Sequence, residues 1–113
     1  MSEFVSYLHE VFASFGPIIS KRMFGGHGIY HQGLMFALVA DDALYLKADA
    51  LSRDEFDRRG LPPFEFMKQG IPTQMSYFAA PESIFDDPDD AAIWADRAYE
   101  AAARAIKPSK RPR

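Results

Sequence analysis

The residues best placed to do chemistry sit in one string, Arg22-Met23-Phe24-Gly25-Gly26-His27-Gly28-Ile29-Tyr30. Gly25, Gly26 and Gly28 fall close together, which points to positive φ or to close backbone approach. Successive N–H groups in such a loop could hold an anion, with Arg22 or Lys47 as counter-charge. The spacing is not the G-x-G-x-x-G of dinucleotide sites, and no Gly-Lys-Ser/Thr follows as in a P-loop. The string also runs into a strand and not a helix, so no helix dipole would help to hold a phosphate. A tight turn or bulge between strands accounts for the glycines better.

Other candidate centres are weaker. His27 and His31 share a strand face but lie ~13 Å apart at ~3.3 Å per residue, too far for one zinc with nitrogens at ~2.0–2.1 Å. His9 stands alone on a helix. The acids Asp86, Asp87, Asp89 and Asp90 lack the glycine and glutamate spacing of a calcium loop, and helix capping explains them without a metal. No serine is framed by G-x-S-x-G. Cysteine is absent, which removes disulfides, thiolate metal sites and thiol nucleophiles together. The expectation is a chain that is no enzyme and uses neither metal nor cofactor.

Two surfaces remain. Arg22 and Lys47 each belong to the polar face of a strand; if those faces meet, a basic spot lies beside Tyr45 and Tyr77 and suits a nucleic acid or an acidic peptide. Pairing with Asp49 or Glu65, or plain solvation with snorkelling stems, is the alternative. The C-terminal run Lys107, Lys110, Arg111 and Arg113, broken by Pro108 and Pro112, reads as a basic tail. Such a tail can serve as an electrostatic arm for nucleic acid, as a solubilising end, or as cations after a helix C-terminus.

Residues with these roles need a scaffold. The chain has 113 residues, 48% apolar and 26% charged, with a net charge of -3. One domain is expected at 1–106, with the tail at 107–113. The balance excludes wholesale disorder and a strongly basic nucleic-acid binder. No run approaches the ~20 apolar residues of a membrane span, and the N-terminus has no basic leader, so a cytoplasmic location is expected. Ten phenylalanines and five tyrosines should mostly fill the core; any left on an exposed sheet face would favour a dimer or a partner.

Phe4, Leu8, Val11, Phe12 and Phe15 repeat at helical spacing and predict a first helix, with Ser2 as N-cap and Gly16-Pro17 as its stop. A short extended piece at 18–24 follows. Strands are predicted at 28–31, 34–40 and 44–48, joined through Gln32-Gly33 and Asp41-Asp42; connections so short force antiparallel hairpins. Ser52 and Glu55 fit a capping box, Leu51 and Phe56 a hydrophobic staple, and Gly60 a C′ residue, giving a helix at 53–59. Strands at 64–67 and 75–80 are linked through 68–73. Asp87-Pro88-Asp89-Asp90 opens a last helix reaching about Ile106, whose buried stripe is Trp94, Ala98, Ala101 and Ala105. The order α-β(3)-α-β(2)-α predicts a two-layer α+β domain, a central antiparallel sheet with three helices mainly on one face.

Together with Leu34-Met35-Phe36-Ala37-Leu38-Val39-Ala40-Asp41-Asp42 and Leu44-Tyr45-Leu46-Lys47, the glycine string resembles the N-terminal domain of the TfoX (Sxy) family, linked to regulation of natural competence for DNA uptake in bacteria. The resemblance is sharpest from Lys21 to Asp49 and resumes at Pro63-Phe64-Glu65-Phe66 and Met75-Ser76-Tyr77. It implies an α+β fold similar to secretion-chaperone-like and YjbR-like domains, and no catalytic residues. Full-length members look like two domains, the second helical and a contact for nucleic acid; this chain stops after the third helix of the first. The resemblance implies a regulatory or adaptor domain acting through protein contacts, as a homodimer or beside a separate partner. The expected binding residues are Arg22, Met23, Phe24, Gly25, Gly26 and Gly28, with Tyr45, Lys47 and Tyr77. The alternatives are nucleic-acid binding through the tail and the Arg22/Lys47 face, and small-ligand or anion binding at the Gly25–Gly28 loop.

Overall fold

The computed structural model describes residues 3–23 and 25–106. Ser2, Phe24 and the tail residues Lys107, Lys110, Arg111 and Arg113 lie outside the described residues. The first helix, α1 (Glu3–Val11), buries Val5, Leu8 and Val11. It stops four residues earlier than Phe15: the amides of Phe15 and Gly16 both turn back to the Phe12 carbonyl at 2.9 Å. Val5 is fully buried, whereas Phe4 is only partly so and lies 6.0 Å from the Phe85 ring.

Six antiparallel strands follow: β1 (Ile19–Met23), β2 (Gly26–His31), β3 (Leu34–Ala40), β4 (Ala43–Lys47), β5 (Pro63–Lys68) and β6 (Ile71–Ala79). They lie in the order β1-β2-β3-β4-β6-β5. The extended piece before the glycines is thus a full edge strand, and the sheet has one strand more than expected. Two-residue turns with positive φ at both positions close three hairpins, at Gln32 and Gly33, Asp41 and Asp42, and Gln69 and Gly70. That backbone matches the right-handed twist of the paired strands. The expected 68–73 link shrinks to Gln69 and Gly70, residue 68 joining β5 and residues 71–73 joining β6.

The short helix α2 (Arg53–Arg58) departs from its local signals at the start. Ser52 makes no side-chain cap; its hydroxyl instead accepts from the Asp49 amide at 3.1 Å. Asp49 holds the turn before the helix, its Oδ1 accepting from the amides of Leu51 at 3.1 Å and Ser52 at 3.2 Å. Leu51 is 76% exposed, so no staple forms. The end follows expectation: Gly60, at φ +70, donates to the Asp57 carbonyl, and Leu61 donates to that of Phe56, a Schellman motif.

After a 3-10 turn at Glu82–Phe85, Asp87 caps α3 (Pro88–Ala105) by accepting from the amides of Asp89 and Asp90. The α3 stripe is Ala91, Trp94, Ala95, Ala98, Ala101 and Ala102; Ala105 is exposed. All three helices pack on one face of the sheet. Phe12 meets Phe36 at 5.4 Å, Phe56 meets Phe78 at 5.2 Å, and Trp94 meets Phe56 at 5.2 Å. Alanines along α3 let it lie close over β3 and β4.

Candidate functional site

Strand alternation sends every second residue to the face away from the helices. The register aligns Lys21, Gly28, Leu38 and Tyr45 across β1 to β4, and Lys47 pairs with Tyr77 on β6. No helix of the described residues covers this face. Leu38 and Tyr77 are nonetheless only 6% and 7% exposed and stand outside the main core cluster. They are buried by other side chains of the same face, so the sheet carries a second, thinner apolar layer.

Aromatic rings form that layer. Tyr45 meets Phe64 edge-on at 5.0 Å, and Phe64 lies near-parallel to Phe66 at 6.3 Å. Lys47 places its Nζ 5.1 Å over the Tyr77 ring and donates to Ser76 Oγ at 2.7 Å. Burial pushes the Lys47 ammonium below its usual range, against the pull of Asp49. Tyr77 donates a long hydrogen bond to the Met35 carbonyl at 3.4 Å. Burial, and secondarily the nearby Tyr30, pushes its phenol up to about 12.

Tyr45, Lys47, Tyr77, Met23, Gly26 and Gly28 all belong to this face. Arg22 does not. It pairs with His27, in line with Val39 and Leu44 on the helix side, with two strands between it and β4. Arg22 and Lys47 therefore form no joint basic spot. Lys21 is the cation that shares the face, its Nζ 4.9 Å over the Tyr30 ring. The period-2 rule places Lys21, but only with the β1 register known.

The glycine string is largely strand. Gly25, at φ +78, lies in the turn; Gly26 is paired with β1, and Gly28 with both β1 and β3. At Gly28 the expected anion-cradling loop is strand, its backbone laddered on both sides. A Cβ on Gly26 would lie 2.1 Å from the Val39 carbonyl oxygen, and one on Gly28 within 2.9 Å of the sulfurs of both Met23 and Met35. These glycines let strands and methionines close up.

His31 is structural: its Nδ1–H donates to the Pro17 carbonyl at 2.8 Å, and its ring packs on Phe15 and Tyr99. Among the described residues, no three His, Asp or Glu side chains converge as a metal site. Open troughs lie elsewhere on the described surface. One, about 350 Å³, runs beside Asp49, Arg53 and Ser76. Another, about 420 Å³, lies between α2 and α3 with arginines and carboxylates in balance. Asp49 is the residue that sequence reasoning undervalued, since its partner is 55 positions away: Arg104 grips it bidentately at 2.7 and 3.0 Å.

The described residues thus form a two-layer α+β domain whose helix-free sheet face is lined with rings. The chain belongs to the TfoX N-terminal domain family, whose pattern matches residues 10–102. It is 30% identical over 82 residues to the DNA transformation protein TfoX1 of Aliivibrio fischeri (strain ATCC 700601 / ES114). The match covers 69% of this chain but 39% of the relative's length. No helix among the described residues is long and apolar enough to cross a membrane.

Proposed function

We propose that this chain is a non-enzymatic regulatory domain acting in DNA transformation through contacts with another protein, made on the uncovered sheet face. The observation that carries the reading is that face itself: rings and methionines held on a sheet with no helix of the described residues over them. Sheets that pack only on themselves on one side usually leave that side polar. Membership of the family and the name of the relative support the transformation role. Work on competence genes would place the chain in the cytoplasm, beside the transcription apparatus.

Direct nucleic-acid binding has less behind it. Arg22 and Lys47 lie on opposite faces, and the net charge is -3. The test is made in the cell that carries the chain. Deleting it should lower transformation, and a folded Tyr45→Ala, Phe64→Ser variant should fail to restore it. Full restoration by that variant would overturn the reading, as would binding of short duplex DNA that weakens steeply with salt. Light scattering on the purified chain reads directly whether it pairs with a second copy.

A further inference from the structure

We infer, resting on that function, that the uncovered face takes an acidic, apolar segment of a separate protein, with Lys21 and Lys47 each receiving a carboxylate. The charge pattern carries this. At the outward positions of the six strands the charged side chains are Lys21, Lys47 and Lys68, with no Asp or Glu among them. The chain as a whole has 16 acids against 13 bases, so a face free of acids is a segregation of charge.

Lys21, on the edge strand β1, and Lys47, on β4, are both held ready. Each ammonium sits over a tyrosine ring, and among the described residues neither has a carboxylate in ion-pair contact. An ammonium has three donors, and Lys47 spends one on Ser76. Three strand spacings of ~4.8 Å and two residues of ~3.3 Å put the two cations ~16 Å apart. An extended segment covers that distance in about five residues, crossing the strands over an apolar floor of Tyr30, Met35, Tyr45 and Tyr77.

The other occupants fit less well. A two-fold pair of copies, face to face, would set lysines against lysines, and a one-sided contact between copies would not close. Nucleic acid needs ring faces free for stacking. Here lysines lie over Tyr30 and Tyr77, and Tyr45, Phe64 and Phe66 pack on one another. A strand added at the free part of β6 would meet Pro72. The Lys68–Ile71 pair flanks a two-residue turn, so residue 72 aims its backbone away from β5, and proline has no N–H to offer there.

Fluorescence anisotropy with a labelled dodecapeptide of alternating Glu and Leu tests the idea. The peptide should bind, and affinity should fall with salt. Lys21→Glu and Lys47→Glu should each weaken it about tenfold, and the double variant should prefer the alternating Lys–Leu peptide. Lys47→Met keeps the packed stem and should lose affinity as well, which separates charge from folding. No binding, binding indifferent to all these changes, or preferred capture of oligothymidylate through the same lysines would each overturn the acidic partner. If the charge variants bind unchanged while the Tyr45→Ala, Phe64→Ser chain still fails in the cell, the acidic partner falls and the proposed function stands.

Discussion

At the residue scale, Gly26 and Gly28 do different jobs although they look alike in the string. A Cβ at Gly26 would meet main chain, 2.1 Å from the Val39 oxygen and 3.2 Å from its carbon. Main chain inside a ladder cannot move aside. A Cβ at Gly28 would meet the ends of flexible side chains, the sulfurs of Met23 and Met35 at 2.8 and 2.9 Å. Gly26→Ala should therefore cost about 3 kcal/mol and Gly28→Ala about 1 kcal/mol, read from urea midpoints. A Gly28 variant less stable than the Gly26 one would contradict the steric account. The glycine density was legible in the sequence as close approach; which glycine meets backbone was not, because that depends on β3 being the neighbour.

At the scale of elements, Asp49 joins three of them. It follows β4, holds the turn that leads into α2 and clamps α3 through Arg104. The Arg104 hydrogen bonds are the first cause holding its carboxyl below the usual range. Asp49→Asn keeps the turn acceptor and removes the charge. The pair is partly exposed, so the loss at about pH 7 should be near 1 kcal/mol. A depressed folded pKa contributes stability above the unfolded value of about 4, lost as pH falls through the lower folded value. The gap between wild type and variant should then shrink toward about pH 3; an unchanged gap in urea midpoints would show that the pair is not its source. The local signals had mixed success for one reason. Asp87 caps its own helix two and three residues on, so spacing alone places it. Ser52 and Glu55 had the right spacing, but Ser52 sits in helical backbone at φ -110, ψ -13 with its hydroxyl turned to the Asp49 amide, and Arg58 and Arg59 engage Glu55.

At the scale of the whole molecule, one helix-side core ties the layers together. Trp94 is 2% exposed against Phe56, which lies on Phe78 of β6. Arg59 and Arg97 lie over its ring at 5.1 and 5.3 Å. Helices and sheet should unfold as one unit. Trp94 fluorescence and far-ultraviolet circular dichroism are expected to trace the same urea transition; fluorescence changing first would mean that α3 detaches alone.

The sequence by itself determined the class of fold, because hydrophobic period, short turns and caps are local and each chooses one backbone conformation. Only the tertiary structure decided which charges share a face. Side-chain direction alternates along every strand, so a one-residue difference in register exchanges Lys21 for Arg22. Register is set by what lies alongside, and no spacing within β1 contains β2, β3 and β4.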